Sequence, residues 1–374
     1  MTVLTAIGLM SGASADGVSG AIVKTDGESA VDIIAHRFHA YDRDMKIVLH
    51  RAAKAAGEGR DGAADIGKAA GELTNAHVVA VEELLDAASL KRTAIDVIGF
   101  HGHTVLHKPQ RSPETAGRTW QIGDGRALAE ETKIDVVCDF RSADIAEGGE
   151  GDPLTPVYLA ARVRDLEPDG DVGVIDLAAA ARIVFIPREG GPLDLLSFDC
   201  GPGLALLDEW MALKTGAASD EDGATARSGK VHSDILRLML LNPYIRRKPP
   251  KALDWFSFKL DPALHLSIED GAATLTAFTA AAIRASAALL PSAPNDWIVT
   301  GAGRRNAAMM EAIRKALDAE VHDADSLGWR ADALDAECAA FLAVRSLRKL
   351  PLTYPKTTRA PRPVRGGIHH RAPV

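Results

Sequence analysis

Two aspartates lie in turns rich in small residues, where a carboxylate can bind a metal ion or accept a proton. Asp16 follows Ser11–Ala15, where a carboxylate can hold a hydrated Mg²⁺, because this ion keeps most of its waters and takes only one or two carboxylates. Asp199 precedes Cys200–Gly203, where glycines let a ligand approach the backbone, so it is a candidate general base. Each aspartate alone is equally typical of a plain turn, since Asp side chains bond to their own backbone.

A third candidate is the turn Gly301–Gly303. It follows the apolar run Trp297–Val299 and precedes Asn306–Leu317, which has helical spacing. The amides at a helix N-terminus bind phosphate, so this turn is a candidate nucleotide loop. Two glycines one residue apart are also common in ordinary tight turns, and the sequence leaves both interpretations open.

The histidine pairs do not indicate a metal site. His101 and His103 are two residues apart, which is not the helical spacing of paired ligands, and no third ligand lies nearby. His369 and His370 lie in a tail that is rich in Lys, Arg and Pro, and they are interpreted as a solvated pair in a basic, disordered extension.

The segments around Asp16 and after it predict strands and helices in alternation. Val3–Met10 and Val18–Lys24 are strand-like on either side of the Asp16 turn, and Met45–Ala88 predicts one or two helices. The short apolar runs Ile95–Phe100 and Ile134–Cys138 each end in polar residues. This order predicts an α/β fold with its site at the strand ends.

The same order begins again in the second half. Val172–Leu177, Ala181–Ile186 and Leu193–Phe198 are strand-like, and the strand–glycine–helix pattern at Gly301 follows them. A strand–turn–strand unit therefore opens each half, which predicts two domains with a boundary near 165–172.

Composition excludes several classes of protein. The 374 residues carry 43 Lys+Arg against 51 Asp+Glu, and this net charge of −8 argues against binding to nucleic acid or to anionic membranes. Cys138, Cys200 and Cys338 form neither a disulfide framework nor a zinc motif, which suits a reducing compartment. The apolar N-terminus lacks the basic region of a signal peptide, and no apolar run is long enough to span a membrane, so we expect a cytoplasmic protein.

The order of the motifs resembles that of the anhydro-N-acetylmuramic acid kinases, members of the actin/Hsp70/sugar-kinase superfamily. Gly8–Gly17 resembles the G-x-M-S-G-T-S-x-D-G opening of that family, and Phe198–Gly203 resembles its F-D-x-G-P-G. The other matching blocks are, in chain order, Gly99–Val105, Gln121–Asp124, Asp139–Arg141, Gly148–Leu154, Gly301–Asn306 and Asp332–Ala336. The eight blocks follow the family's order, and the match extends from Gly8 to roughly Ile368, which is nearly the whole chain.

The resemblance implies a fold and a reaction. It implies two ribonuclease-H-like α/β domains flanking a cleft: residues 1–168, residues 169–345, and a segment 346–374 that packs back on the first domain. It implies a homodimer whose substrates are ATP, with Mg²⁺, and a 1,6-anhydro sugar. Water opens the anhydro ring and O6 takes the phosphoryl group, giving N-acetylmuramate 6-phosphate and ADP in peptidoglycan recycling and amino-sugar catabolism.

The resemblance also implies roles for residues of this sequence. Asp199 would be the catalytic base, and Asp16 would hold the metal. The sugar contacts would be His101, Thr104, Asp139, Arg141 and Asp335. The nucleotide contacts would be Gly12, Ala13, Ser14, Ala15, Asp16, Gly17, Val18, Ser19, Gly201, Gly203, Gly301, Ala302 and Gly303.

Departures from the family pattern cluster on the nucleotide side. Where the family carries N-I-G-G-I-A-N, this chain has Asp176–Arg182, with Ala178 and Ala179 in place of both glycines. A Cβ at a position of positive φ is strained by about 1 kcal/mol or more. Asp176 adds a negative charge near the phosphates that Arg182 can offset. Other departures that point the same way are Ala13, Leu204, residues 249–256 in place of P-P-K-S-T-G-R-E, and Arg359. His103 and Glu150 are milder departures.

Three functions therefore remain open from the sequence. The first is an active kinase with altered phosphate turns. The second is a family member without catalysis that binds a sugar or a nucleotide, and the third is a kinase or hydrolase with a different substrate. Metal-dependent ATP binding separates the first from the second, and the identity of the phosphorylated product separates the third.

Overall fold

The chain forms two compact units. The computed structural model describes residues 2–109, 116–253 and 258–373. The first unit joins the chain up to Glu167 with the chain from Asp332 onward, and the second unit is Pro168–Ala331. Each unit is built on its own β-sheet with helices packed against it.

The first unit contains seven of the described strands. Its strands and helices are, in chain order, β1 Leu4–Ser11, β2 Gly17–Thr25, β3 Val31–Ala40, α1 Arg43–Gly57, α2 Ala64–Ala88, β4 Val97–Lys108, β5 Arg118–Ile122, α3 Gly125–Thr132, β6 Val136–Cys138, α4 Ser142–Ala146 and α5 Pro156–Arg164. The C-terminal part of the chain adds α11 Leu334–Leu347, α12 Pro355–Thr358 and β12 Ile368–His370. The strand order is β3-β2-β1-β4-β6-β12, and β5 pairs with β4.

The second unit contains five of the described strands. Its elements are β7 Val172–Leu177, β8 Ala180–Ile186, β9 Leu196–Pro202, α6 Ala205–Thr215, α7 Ala224–Ser228, α8 Ser233–Leu240, α9 Ile268–Ala287, β10 Asp296–Thr300, α10 Ala307–Leu317 and β11 Glu320–Asp323. The strand order is β9-β8-β7-β10-β11. Its core lies between this sheet and helices that include α6, α9 and α10.

The two sheets repeat one topology. In each unit the first three strands form an antiparallel meander, and the next two main strands run parallel to the first. The remaining pairs of this core, β8 with β9 and β10 with β11, are antiparallel and parallel respectively. This is the arrangement that ribonuclease-H-like domains have, so the duplicated α/β fold expected from the motif order is present.

Helix α11 belongs to the first unit because glycines let it lie directly on that sheet. A Cβ on Gly8 of β1 would come within 1.8 Å of the Ala336 carbonyl oxygen, and one on Gly99 of β4 within 2.0 Å of the Ala339 carbonyl oxygen. The predicted boundary at 345/346 falls inside this helix, whereas the structure divides the chain before Asp332. The predicted boundary at 168/169 adjoins the observed division after Glu167.

The described part of the basic tail pairs with other residues of the first unit, so the expectation of a disordered tail with a solvated histidine pair is wrong there. Ile368–His370 forms β12, which pairs antiparallel with β6. His369 Nε2 lies 2.8 Å from Asp135 Oδ2, and the amide of Ala372 donates to Asp135 Oδ1 at 2.9 Å. Backbone pairing with a sheet edge satisfies the polar groups that a solvated tail would leave to water.

Arg359, a departure from the family pattern, closes α12 in the left-handed region at φ 66. Such a conformation costs a residue with a Cβ on the order of 1 kcal/mol. Its guanidinium donates to Glu150 Oε1 at 3.0 Å, so two departures from the family pattern contact each other.

Membrane insertion of a helix finds no support in the described ranges. None of the helices within them combines the length and the apolar character needed to cross a bilayer.

Candidate active site

The turn between β1 and β2 is tight and sterically specified. The amide of Ala15 donates to the Gly12 carbonyl oxygen at 3.0 Å, and Ala15 is buried at φ 53. Gly17 is required, because a Cβ there would lie 2.2 Å from the His39 carbonyl oxygen. Gly12 is different: the nearest atom to its Cβ would be Ser14 Oγ at 3.9 Å. The Gly12 backbone is therefore open to a ligand, while Gly17 serves packing.

Asp16 presents an ionised carboxylate to solvent. Its side chain is 59% exposed, and Lys46 Nζ donates to Oδ1 at 3.2 Å. A hydrogen bond from Ser14, and then the contact with Lys46, hold the pKa of Asp16 below its usual value. An exposed, ionised oxygen donor has the chemistry that Mg²⁺ prefers.

A buried polar chain joins the first two motifs. Ser11 and His103 are paired neighbours on the parallel strands β1 and β4, and Ser11 Oγ lies 3.0 Å from His103 Nδ1. The Tyr41 hydroxyl donates to Ser11 Oγ at 2.9 Å. Burial lowers the pKa of His103, so its imidazole is neutral at pH 7 and serves as a hydrogen-bonding group.

His101, within β4, and Arg141, three residues after the end of β6, contact each other. Arg141 Nε donates to His101 Nε2 at 3.0 Å, so the ring accepts there and its proton is on Nδ1, facing the Gly102 carbonyl oxygen at 3.2 Å. Burial, and then the charge of Arg141, lower the pKa of His101 to about 3. Arg141 Nη1 also donates to the Gly151 carbonyl oxygen at 2.8 Å and to Asp152 Oδ1 at 2.7 Å. One guanidinium thus ties β4 to the loop that contains Gly151 and Asp152.

A pocket of about 220 Å³ opens beside this pair. Its walls include His101, Asp139, Trp120 and Gln121, so it combines an aromatic ring with polar side chains. Asp139 is left-handed at φ 56, and its Oδ1 accepts from the Ser142 amide at 3.1 Å at the start of α4. Thr104 borders Gln121, whose Nε2 donates to Thr104 Oγ1 at 3.2 Å. Of the five predicted sugar contacts, the structure brings together His101, Asp139 and Arg141, with Thr104 next to the pocket wall.

The fifth predicted sugar contact, Asp335, is exposed in the first turn of α11. Two residues later Glu337, which the sequence did not indicate, is fully buried. Its Oε2 accepts from the Tyr158 hydroxyl and from Arg162 Nη1, the latter at 3.0 Å. Neighbouring acids on one helix therefore have different environments, one in solvent and one in a buried hydrogen-bonded group.

In the second unit, Asp199 is a buried carboxylate held at both oxygens. It lies on β9 with 9% of its side chain exposed. Arg182 Nε donates to Oδ1 at 2.8 Å, and the Leu253 amide donates to Oδ2 at 2.8 Å. The Asp199 amide in turn donates to the Lys251 carbonyl oxygen at 3.0 Å. Asp199 is therefore an oriented strand residue with a defined carboxylate, and not a turn-former.

Lys251 organises the segment that contacts Asp199. Its side chain is fully buried, and Nζ donates to the carbonyl oxygens of Tyr244 and Ile245, both at 3.1 Å. Burial lowers the pKa of Lys251. The Tyr244 hydroxyl donates to the Asp199 carbonyl oxygen at 2.9 Å. Next to Asp199, burial raises the pKa of Cys200 to about 12, so this thiol is not a nucleophile at pH 7.

The altered turn between β7 and β8 is not strained, contrary to expectation. Neither Ala178 nor Ala179 has a positive φ, and both are exposed, so glycine is not needed there for conformational reasons. The required glycine is Gly203, whose Cβ would lie 2.3 Å from the Ala178 carbonyl oxygen. Its amide donates to the Ala179 carbonyl oxygen at 2.8 Å. For Gly201 the nearest Cβ contact would be an ordinary 3.5 Å.

The Gly301–Gly303 turn packs closely on β7. Gly301 has φ 77, and a Cβ on it would lie 2.6 Å from the Leu177 carbonyl oxygen. A Cβ on Gly303 would lie 2.4 Å from Leu177 Cγ, while Ala302 is exposed. Helix α10 begins at Ala307, four residues after Gly303, and Asn306 Oδ1 accepts from the Met309 amide at 2.9 Å. One helix N-terminal amide is thus already bonded, and the exposed part of the turn is at Ala302.

Comparison with known proteins identifies the family. Residues 4–371 match the family model described as anhydro-N-acetylmuramic acid kinase. The chain belongs to the anhydro-N-acetylmuramic acid kinase family. It is 44% identical to a protein of that name from Methylorubrum populi, over 98% of this chain and 99% of the relative, and 42% identical to one from Rhizorhabdus wittichii, over 99% and 100%.

Solved structures similar to this member of the anhydro-N-acetylmuramic acid kinase family are more distant. The (R)-2-hydroxyglutaryl-CoA dehydratase component A of Acidaminococcus fermentans is 14% identical with a TM-score of 0.48, covering 92% of this chain and 100% of that one. A ROK hexokinase from Thermus thermophilus is 14% identical with a TM-score of 0.40, covering 91% and 100%.

The motifs of the anhydro-N-acetylmuramic acid kinase family did not indicate the residues that act by contacting a motif residue. Arg182, Lys251 and Tyr41 lie outside the matched blocks or at departures from them, yet each contacts a motif residue. The only signal in the sequence was the Asp176–Arg182 departure, where a basic residue follows an acidic one across a turn.

Proposed function

We propose that this chain is an active anhydro-N-acetylmuramic acid kinase with Asp199 as its general base. The observation that supports this most directly is the environment of Asp199, a buried carboxylate within β9 whose two oxygens are fixed by Arg182 and the Leu253 amide. Each carboxylate oxygen has two lone pairs, so one hydrogen bond on each leaves capacity to accept a proton from water.

In the proposed reaction, Asp199 takes a proton from a water that attacks C1 of the anhydro sugar. The C1–O6 bond breaks with its electron pair going to O6, as in an inverting glycoside hydrolysis. O6 then attacks the γ-phosphorus of ATP and ADP leaves. Water, sugar and ATP thus give N-acetylmuramate 6-phosphate, ADP and the proton that Asp199 releases to solvent.

On the nucleotide side, we assign phosphate contacts to Gly12–Ser19, Gly201, Gly203 and Gly301–Gly303. The open backbone at Gly12 and the exposed part of the turn at Ala302 support this assignment. Asp16 fits a role as Mg²⁺ ligand, because its carboxylate is exposed and ionised. Bound Mg²⁺ would neutralise phosphate charge during transfer.

On the sugar side, we assign binding to His101, Thr104, Asp139, Arg141 and Asp335. The pocket of about 220 Å³ supports this for His101 and Asp139, since its wall offers a neutral imidazole, an amide and a carboxylate around a Trp ring. Thr104 and Arg141 do not line the pocket but bond to the wall residues Gln121 and His101. Such a mixture of a few polar groups with an aromatic surface suits a small sugar.

The direct test is purified protein with ATP, Mg²⁺ and 1,6-anhydro-N-acetylmuramate, followed by mass spectrometry of the sugar. We expect the 6-phosphate from the wild type, and a loss of product of at least about a hundredfold in Asp199→Asn, since removing a general base costs roughly 10² to 10⁴. ATP binding should persist in that variant. No product from a wild-type chain that still binds the sugar would instead make the protein a binding protein.

A further inference from the structure

A row of charged side chains crosses three neighbouring strands of the second unit, near the Gly301 turn. Asp176 on β7 is paired with Arg182 on β8, and Arg182 is paired with Asp199 on β9. Directly paired residues on neighbouring strands share one face of a sheet, with Cβ atoms roughly 5 Å apart. Asp176, Arg182 and Asp199, here called the charged row, therefore lie side by side with signs −, + and −.

The two ends of the charged row belong to different parts of the proposed chemistry. At one end Asp199 is the proposed base. At the other end Asp176 lies under the Gly301 turn, since a Cβ on Gly301 would come within 2.8 Å of Asp176 Oδ1. Asp176 is also paired with Thr300, the last residue of β10 before that turn. One cation thus stands between the base and the turn assigned to phosphate.

The positive charge of Arg182 affects both neighbouring carboxylates. A carboxylate close to bound phosphate repels it, and an adjacent guanidinium offsets that repulsion. The guanidinium also orients Asp199, because a charge-assisted hydrogen bond from Nε is strong and directional. With 22% of the Arg182 side chain and 9% of the Asp199 side chain exposed, this pair is little screened by water.

We propose that Arg182 is a positioning residue that serves both half-reactions: it orients the base Asp199 and neutralises Asp176 beneath the nucleotide turn. The proposal rests on the proposed function, since it assumes Asp199 as the base and Gly301 as a phosphate contact. It explains how the chain tolerates an acid at position 176, because the compensating charge lies on the next strand.

The test is a double-mutant cycle of steady-state kinetics with Arg182→Gln, Asp176→Asn and the double variant. Arg182→Gln should lower kcat at least tenfold, because the carboxylate loses its orienting bond, and should raise the ATP KM severalfold, because Asp176 is then uncompensated. Adding Asp176→Asn should return the ATP KM to within about twofold of the wild type while kcat stays low. Asp176→Asn alone should leave kcat within about threefold.

A conservative variant separates positioning from a merely structural role. Arg182→Lys keeps the charge without the Nε fork, so it should keep the wild-type ATP KM with an intermediate kcat. Arg188→Gln, at the exposed far end of β8, is the matched control and should change none of these values.

The outcomes distinguish this inference from the function on which it rests. A wild-type chain without product contradicts the proposed function. A productive wild type whose folded Arg182→Gln variant keeps both kcat and ATP KM contradicts the positioning role alone. A double variant whose ATP KM stays raised contradicts the compensation of Asp176, as does a loss of kcat of more than tenfold in Asp176→Asn.

Discussion

Arg141 donates through Nε to Nε2 of His101, 3.0 Å away, and so fixes both the position and the tautomer of that imidazole. The same guanidinium holds the Gly151 carbonyl oxygen and Asp152. Residues of the Gly99–Val105 and Gly148–Leu154 blocks therefore depend on one side chain, which makes Arg141 the residue through which the proposed sugar site is organised.

Arg141→Lys should raise the KM for the anhydro sugar about tenfold, with the ATP KM unchanged. Lysine keeps the charge but cannot bond to His101, Gly151 and Asp152 with one planar fork, so the loops around the pocket lose their common anchor. Initial rates at varied sugar and saturating ATP measure this. Arg126→Lys, an exposed arginine that pairs with Glu130 on α3, is the control. An unchanged sugar KM in Arg141→Lys would contradict the assignment.

Two glycines of the first motif should behave differently when changed to alanine. Gly8→Ala should destabilise the first unit by about 3 kcal/mol or more, because its Cβ would overlap the Ala336 carbonyl oxygen of α11. Gly12→Ala has open space at its Cβ, so its stability should stay within about 1 kcal/mol while its ATP KM rises. Urea unfolding and ATP kinetics measure the two effects. Equal stability of the two variants would contradict the packing argument for Gly8.

Much of the fold follows from local patterns in the sequence. Val172–Leu177 is an apolar run between turn residues, and it coincides with β7. Val31–Ala40 was missed, because this strand, β3, carries charged and histidine side chains and is half-exposed, so it shows no apolar run. The place of α11 could not be read either: its contacts with Gly8 and Gly99 join residues more than 200 positions apart.

The sequence predicted the motif residues of the candidate site, but it did not predict the side chains that hold those residues in place. Asp199 stood out by its turn, but its bond to Arg182 depends on the register of β8 and β9, which includes a shift next to Arg182. The strain expected at Ala178 and Ala179 was wrong, because glycine in a motif does not reveal whether φ or close approach requires it.

Stability of the first unit should fall as the pH is lowered from 6.5 toward 4. Burial lowers the pKa of His77 from its usual 6.5 to about 4 and that of His101 to about 3, and it also lowers the pKa of His103. In this range the unfolded chain binds protons that the folded chain does not, so each such histidine costs up to about 1.4 kcal/mol per pH unit. Urea unfolding between pH 7 and 5 measures the slope.

The variant that tests this pH dependence is His77→Leu. Its ring is fully buried against Phe100, outside the proposed site, and its Nδ1 lies 2.8 Å from the Leu73 carbonyl oxygen. Without that imidazole the slope should flatten by about one proton's contribution. Val81→Ala, at a buried residue of the same helix, removes packing but no titratable group and should leave the slope as in the wild type. An unaltered slope in His77→Leu would remove this histidine from the acid sensitivity.

Substitutions of two nearby acids on α11, Glu337 and Asp335, should have different effects, one on stability and the other on sugar binding. Glu337→Gln should cost about 3 kcal/mol or more, because Glu337 is fully buried and its carboxylate accepts from both Tyr158 and Arg162, whose charge it balances. Asp335→Asn should keep stability within about 0.5 kcal/mol, since Asp335 is exposed, and should raise the sugar KM. Thermal unfolding with and without the sugar, together with kinetics, measures both. If Asp335→Asn left the sugar KM unchanged, Asp335 would have no part in binding, and the role of α11 would be confined to packing on the sheet.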